Sequence, residues 1–157
     1  MSPFSRLLAA GLPVLMAAAL GSLATLPNIP TWYAGLTKPW FTPPNGVFSP
    51  VWTILYALMA SSVWRILTLP DRAPGRDGAL MVFFVQLALN AAWSWTFFSL
   101  HSPLAGLVVI AVLLAMILVT VRRFWSLNRR AAALLVPYAV WVAFATVLNA
   151  AIWHLNA

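Results

Sequence analysis

Five long apolar runs, separated by short polar or proline-containing breaks, dominate the hydrophobic pattern of the chain. A helix needs roughly 20 apolar residues to cross a hydrocarbon core of about 30 Å, and each run has that length. The predicted spans are residues 4–26, 48–69, 79–100, 103–124 and 131–155. The pattern therefore predicts an all-α integral membrane protein. Residues 1–157 would form one bundle of five transmembrane helices, with too few residues left for a soluble domain.

The longest break, residues 27–47, differs from the other connections in composition. It is rich in prolines and aromatic residues, namely Pro27, Pro30, Pro39, Pro43, Pro44, Trp32, Tyr33, Trp40 and Phe41. Prolines stiffen a chain because their rings fix the backbone angle φ. We therefore predict a stiff lid loop between helices 1 and 2 rather than a flexible linker.

Composition excludes several classes of protein. Of the 157 residues, 63% are hydrophobic and 7% are charged, whereas about a quarter of the residues in a soluble domain are charged. The chain has no cysteine, and its two histidines, His101 and His154, stand alone, so the sequence predicts no metal site. Both acidic residues, Asp71 and Asp77, lie in one short segment. No carboxylate pair is therefore available for acid–base catalysis.

Basic residues fall almost entirely on one side of the predicted bundle. The net charge of +7 comes from residues that lie singly or in pairs between apolar runs, which is typical of membrane orientation signals and not of nucleic-acid binding. All the arginines lie on the N-terminal side, and only Lys38 lies on the lid side. Because cytoplasmic ends are enriched in Lys and Arg, we predict a bacterial inner membrane with the lid and C-terminus outside the cytoplasm. An outer membrane stays open as the alternative.

The first apolar run has a second interpretation. Arg6 followed by an apolar stretch rich in small residues also fits a cleaved signal peptide. The run is long enough to span a membrane, however, and the spacing of Ala17 and Gly21 fits close packing of a helix. We therefore interpret it as the first span.

Aromatic and amide residues in three spans share helical faces in the half of the bilayer next to the lid. Spacings of three or four residues place side chains on one face of a helix. The residues with this spacing are Trp52 and Tyr56, then Gln86, Asn90 and Trp93, then Trp141, Ala145 and Leu148. Large π-surfaces with few amides and no charge suit a flat, mostly apolar ligand. The sequence therefore predicts a ligand pocket between the second, third and fifth helices.

These residues also have structural interpretations. Tryptophans are enriched at membrane interfaces, which alone would account for Trp32, Trp40, Trp125 and Trp153. Gln and Asn within a span can simply hydrogen-bond between helices. Lys38 is either an interfacial lysine or a partner for a carboxylate at the edge of the ligand.

Ordered motifs run along nearly the whole chain. They are Trp32-Tyr33-x-x-Leu36-x-Lys38-Pro39, Phe48-x-Pro50-Val51-Trp52-x-x-Leu55-Tyr56, Gln86-Leu87-x-Leu89-Asn90-x-x-Trp93-Ser94 and Pro137-Tyr138-x-x-Trp141. Together they resemble the translocator protein family, also called tryptophan-rich sensory proteins or peripheral-type benzodiazepine receptors. The resemblance implies a five-helix bundle, often a homodimer, whose pocket under the first loop binds porphyrins, haem, cholesterol or synthetic drugs without a required cofactor. It assigns to this pocket Tyr33, Trp40, Trp52, Gln86, Asn90, Trp93, Trp141, Ala145 and Leu148.

Sterol binding is where the chain departs from this resemblance. Animal members carry a cholesterol motif with a tyrosine and a basic residue near the C-terminus, and residues 148–154 contain neither at the matching positions. The inverted form of the motif is too weak a pattern to support sterol binding.

The leading hypothesis is a membrane receptor or sensor for tetrapyrroles. One alternative is a transporter of porphyrins or sterols. Another is an enzyme that degrades protoporphyrin IX in light, for which the resemblance implicates Trp52 and Trp141. A scaffold that recruits other membrane proteins is the structural alternative, and it predicts that packing fills the aromatic face.

Overall fold

The computed structural model describes residues 1–157 as five long α-helices, with no strand. The helices are α1 (Pro3–Thr25), α2 (Asn45–Leu67), α3 (Arg76–Ser94), α4 (Pro103–Leu127) and α5 (Arg129–Asn156). A π-helical turn, Trp95–Ser99, extends α3. All five helices, α3 with its extension included, are long and apolar enough to cross a membrane. The predicted five-span helical membrane bundle is therefore confirmed.

Polar residues and glycine set the helix ends. Ser2, Ser102 and Asn128 each precede a helix, and each side chain accepts a hydrogen bond from a backbone N–H of the first turn at 3.0 to 3.1 Å. Gly75 lies directly before α3 with φ of 82°, a conformation that favours glycine. The third helix therefore starts at Arg76, three residues before the predicted span 79–100.

The helices follow one another around the bundle in the order α1, α2, α5, α4, α3, so that α1 lies between α2 and α3. Across the bundle, α2 and α3 barely touch. In the half away from the lid, the space between them is filled by apolar side chains such as Met59, Val63, Phe83 and Phe124, each fully buried. In the half next to the lid, part of this space stays open.

The π-helical turn determines how α3 meets α4. It buries both Phe97 and Phe98. A Cβ atom on Gly106 of α4 would lie only 3.0 Å from the Phe97 side chain. Glycine at this position therefore allows α4 to approach the end of α3 closely, next to the open space.

Both acidic residues lie at the end of the bundle opposite the lid, around Arg76. The Arg76 guanidinium is 3.3 Å from the Asp71 carboxylate and 3.7 Å from that of Asp77. It also donates to the backbone carbonyls of Ile66 and Leu67 at 3.4 Å. Arg76 thereby adds a hydrogen-bond donor for carbonyls at the C-terminus of α2.

Candidate ligand-binding site

A cavity of about 230 Å³ lies between α1, α2 and α3, in the half of the bundle next to the lid. We call it the main cavity. Its aromatic walls are Trp52 and Tyr56 from α2 and Trp93 from α3, and Tyr33 of the lid also borders it. None of its lining residues is charged.

A second space of about 30 Å³ lies between α2, the end of α3, and α5. We call it the side cavity. Trp141, Ala145 and Leu148 line it from α5. A shared wall of five aromatic residues separates it from the main cavity, namely Tyr33, Phe48, Trp52, Trp93 and Phe98.

Most of the sequence-predicted site residues border one of these cavities. Tyr33, Trp52 and Trp93 border both, and Tyr56 and Asn90 border the main cavity. On the α5 side, Trp141, Ala145 and Leu148 border only the side cavity. The larger space thus lies beside α1, whereas the sequence pattern pointed to the space between α2, α3 and α5.

Three predicted residues border neither cavity. Trp40 is 95% exposed and packs edge-on against Phe41. The Lys38 ammonium lies 4.6 Å from the centre of the Tyr33 ring and donates to the Leu36 carbonyl at 3.2 Å. Gln86 is 1% exposed and lies in the core. In this structure none of these three side chains contributes to the wall of either cavity.

Several residues that the sequence pattern did not assign to the ligand site also line the main cavity. From α1 these are Ala18, Gly21, Ser22 and Thr25, and from the start of α2 they are Asn45 and Ser49. The α1 residues recur every three or four positions, which is the same pattern that indicated close helix packing. Small side chains on this face leave room, and α1 thereby becomes a wall of the cavity.

A chain of hydrogen bonds forms the floor of the main cavity. The Tyr56 hydroxyl donates to Asn90 Oδ1 at 2.9 Å, and Asn90 Nδ2 donates to the Tyr138 hydroxyl at 2.9 Å. The Tyr138 hydroxyl donates in turn to Gln86 Oε1 at 2.7 Å. Gln86 Nε2 is buried without a protein partner. Since the Tyr56 hydroxyl hydrogen is used in the bond to Asn90, the Tyr56 oxygen remains as an acceptor beside the cavity.

Hydrogen bonding fixes one of the tryptophans and leaves others free. The Trp93 indole N–H donates to Asn149 Oδ1 at 3.0 Å, and Asn149 Nδ2 donates to the Pro103 carbonyl at 2.7 Å. The indole N–H groups of Trp52 and Trp141 have no acceptor in the protein, and these rings are placed by packing alone. Trp52 lies 5.5 Å from Tyr56, ring centre to ring centre, and Trp141 lies 6.2 Å from Phe48.

Tyr33 joins the lid to the bundle. Although it belongs to the lid, it is only 3% exposed, and its ring centre lies 5.7 Å from that of Phe98. Burial raises the pKa of the Tyr33 hydroxyl, so this group stays protonated through the neutral range. The uncharged Tyr33 ring therefore borders both cavities on the lid side.

Two further contacts hold the lid to helix ends. The Thr37 backbone N–H donates to Asn156 Oδ1 at 3.0 Å, and Asn156 Nδ2 donates back to the Thr37 carbonyl at 2.8 Å. At the other end of the lid, His101 Nε2 donates to Asn28 Oδ1 at 2.8 Å. The His101 ring also stacks on Trp32 at 4.7 Å, and its backbone has a φ of 53°. The lid is therefore tied both to α5 and to the link between α3 and α4.

The arrangement suits binding by shape and stacking. Flat indole and phenol faces line an uncharged space, and the available polar groups are hydroxyls, an amide and indole N–H groups. No group of three or more His, Asp or Glu side chains lies together anywhere in the chain. The site can therefore hold a flat apolar molecule with a few hydrogen-bonding groups.

Comparison with known proteins gives consistent matches over most of the chain. The sequence pattern of the TspO/MBR family matches residues 9–154. The chain is 42% identical over 152 residues to the Tryptophan-rich protein TspO of Archaeoglobus fulgidus, covering 97% of each protein. It is 37% identical to the Tryptophan-rich sensory protein of Cereibacter sphaeroides over 125 residues, covering 80% of this chain and 77% of that protein. It is 36% identical to the Translocator protein of Homo sapiens over 129 residues, covering 80% of this chain and 75% of the human protein.

Proposed function

Because the chain belongs to the TspO/MBR family, we propose that this integral membrane protein is a receptor or sensor for flat hydrophobic molecules of the tetrapyrrole class. The names of its relatives, sensory protein and translocator protein, support a role in sensing or moving a ligand. The observation that carries the proposal is the uncharged, aromatic-walled main cavity under the lid. A flat macrocycle would lie against Trp93.

A ligand of this size has to enlarge the site. Pockets for drug-sized ligands span roughly 300 to 1,000 Å³, and the main cavity holds about 230 Å³. The shared wall is the place where it can grow, because no hydrogen bond restrains the Phe48 and Trp52 rings. Trp93 is tied to Asn149 and stays in place. We infer that ligand binding displaces Phe48 and Trp52 and joins the main cavity to the side cavity.

The same proposal covers placement in the membrane and assembly. We infer a bacterial inner membrane with the lid and the C-terminus outside the cytoplasm, because the arginines gather at the opposite end of the bundle. We also infer a homodimer, by similarity to the family. Reaction of a Thr37→Cys variant with an impermeant thiol reagent in intact cells tests the orientation, because the natural chain has no cysteine.

Binding of protoporphyrin IX tests the function. The titration follows quenching of tryptophan fluorescence in the wild type and in a Trp52→Phe/Trp141→Phe variant. Loss of both indoles from the cavity walls is expected to weaken binding by about tenfold. A Trp125→Phe/Trp153→Phe variant is the matched control, since these two indoles border neither cavity. Equal affinities in all three proteins would place the ligand elsewhere.

Light-dependent porphyrin degradation is the second candidate. It is favoured by the positions of Trp52 and Trp141, which both border the side cavity and whose indole N–H groups have no protein acceptor. Such indoles could serve as electron donors to an excited porphyrin. The test is aerobic illumination of the complex while the visible bands of the porphyrin are followed. Band loss no faster than in detergent alone would contradict this activity.

Passive transport of porphyrins or sterols is the third candidate. It is favoured by Ser22 of α1 and by Ser49 and Thr53 of α2, which border the main cavity and are also exposed. The test compares porphyrin release from sealed proteoliposomes with release from protein-free liposomes. Equal rates would contradict transport.

A further inference from the structure

We propose that ligands enter the main cavity sideways from the bilayer, through an opening between α1 and α2, and that polar side chains at this opening hold the polar edge of an amphipathic ligand. The proposal rests on the proposed function, because it assumes that the main cavity binds a ligand. It adds the route of entry and the chemical class of the ligand. Two independent features support it: where the cavity reaches the surface, and which polar groups lie there.

The lid is held in place next to the cavity. Tyr33 covers both cavities and is 3% exposed. The paired hydrogen bonds between Thr37 and Asn156 tie the lid to α5, and the contact between Asn28 and His101 ties it to the link before α4. Lifting the lid to admit a ligand from water would have to break these contacts.

The membrane side of the cavity is open. Ser22 of α1 and Ser49 and Thr53 of α2 border the main cavity and are nevertheless exposed on the outside of the bundle. Both helices are membrane spans by length and composition. The cavity therefore opens between α1 and α2 onto the surface that faces lipid.

Polar side chains without protein partners gather at this opening. The Ser22, Thr25 and Ser49 hydroxyls and the Asn45 amide border the cavity and make no hydrogen bond within the protein. The Thr53 hydroxyl is different, because it donates to the Ser49 backbone carbonyl at 2.8 Å. Unpaired polar groups at the edge of the hydrocarbon are costly. A ligand that offers them hydrogen bonds would remove this cost.

The depth of these groups indicates how the ligand lies. We call the polar side chains at this opening the rim. Thr25 is the last residue of α1 and Asn45 is the first residue of α2, so the rim lies near the level of the lipid headgroups. Trp52 and Trp93 lie deeper along their helices. An amphipathic ligand therefore lies with its hydroxyl, carbonyl or carboxylate edge at the rim and its flat apolar body against the indoles.

A reversible block at the rim tests the route. Ser22→Cys introduces the only thiol of the chain. The purified full-length variant is reconstituted in liposomes. It is treated with alkyl methanethiosulfonates of increasing size, and the rates of protoporphyrin IX association and dissociation are measured by stopped-flow quenching. Relative to the unlabelled Ser22→Cys protein, which already lacks the Ser22 hydroxyl, bulky labels are expected to slow both rates about tenfold, and dithiothreitol is expected to restore them. Leu23→Cys is the matched control, because Leu23 is exposed but does not border the cavity.

Loosening the lid separates this route from entry through water. Asn156→Ala removes both hydrogen bonds to Thr37, and the proposal predicts unchanged association and dissociation rates. A several-fold rise in both rates in Asn156→Ala, or unchanged rates after bulky labelling of Ser22→Cys, would overturn lateral entry. Absence of saturable quenching in the unlabelled wild type is a separate outcome, and it contradicts the proposed function and this inference together.

The role of the rim is tested by comparing two porphyrins. Ser22→Ala/Ser49→Ala is expected to weaken protoporphyrin IX, which carries two carboxylates, by about three- to tenfold, because hydrogen bonds to charged groups are lost. Binding of octaethylporphyrin, which has no polar substituent, is expected to stay unchanged. Equal losses for both porphyrins, or none for either, would overturn the assigned role of the hydroxyls.

Discussion

The two halves of the bundle differ in packing although the same five helices build both. Away from the lid, side chains such as Met59, Val63, Phe83 and Phe124 are fully buried, and the Phe83 and Phe124 rings stack at 5.9 Å. Next to the lid, two cavities remain and aromatic rings form their walls. The first half is a packed apolar core, and the second is built around these two cavities.

The difference suggests that one half of the bundle provides stability and the other half provides the ligand site. Helices in a membrane associate mainly through close packing and hydrogen bonds between spans. The half away from the lid supplies this packing, supported by the Ser62 hydroxyl of α2, which donates to the Ala131 carbonyl of α5 at 2.7 Å. Because this packing stabilises the bundle, the half next to the lid can contain open space and aromatic rings that no hydrogen bond holds. Changes in the two halves should therefore have different consequences.

The largest effect is expected in the packed half. Phe83→Ala removes a fully buried ring from the stack with Phe124, and such truncations cost about 3 to 5 kcal/mol in well-packed cores. The expected result is a strong loss of thermal stability, measured by thermal unfolding in detergent. Val85→Ala on the exposed face of α3 is the control, with little change expected. Equal stability of the two variants would show that this half is not the anchor of the bundle.

Asn90→Ala is the next largest change, and it acts on the cavity floor. Asn90 bridges Tyr56 and Tyr138 at 2.9 Å on each side. Its removal leaves buried hydroxyl groups with fewer partners, at a cost of about 1 to 3 kcal/mol. Tyr138→Phe and the double variant complete a thermodynamic cycle. Additive losses of stability in the double variant would contradict a coupled network.

Gly106→Ala tests the border between α4 and the cavity. An added Cβ would lie 3.0 Å from the Phe97 side chain and 3.1 Å from Asn149 Oδ1. Overpacking of this kind costs about 1 to 3 kcal/mol, and it should also disturb the hydrogen bond from Trp93 to Asn149. The measurements are thermal stability and the emission maximum of tryptophan. Gly11→Ala is the matched control, because nothing lies within 4 Å of its added Cβ.

The smallest effect is expected at Trp40. The motif resemblance places this residue in the ligand site, but its side chain is 95% exposed and borders neither cavity. Trp40→Ala is therefore expected to change the affinity for protoporphyrin IX less than about twofold, since exposed contacts contribute little. A loss as large as that of Trp52→Phe/Trp141→Phe would mean that the lid closes further over the bound ligand.

The fold could be predicted because length and apolarity decide whether a helix spans a membrane, and these are local properties of the sequence. Capping residues such as Ser102 and Asn128 mark helix ends for the same reason. The aromatic faces of α2 and α3 also follow from local spacing. Trp52, Tyr56, Asn90 and Trp93 border the main cavity as their spacing suggests.

The rest of the site depends on how the helices pack against one another. Gln86 lies on the same face of α3 as Asn90, but its side chain accepts a hydrogen bond from Tyr138 of α5 within the core. The contribution of α1 comes from small residues, and small residues carry no positive signal for a pocket. The π-helical turn after Ser94 also changes the helical phase, so that Phe98 rather than Phe97 borders the main cavity. The cavity walls thus depend on contacts between helices and on one helical irregularity that residue spacing does not reveal.

A structure of the protein with protoporphyrin IX in a lipid environment tests the central claim most directly. The account predicts the macrocycle in the main cavity against Trp93, with Phe48 and Trp52 displaced and the two cavities joined. The packed half around Phe83 and Phe124 should keep its arrangement. A porphyrin bound on the outer surface of the bundle, with both cavities and their shared wall unchanged, would contradict the account.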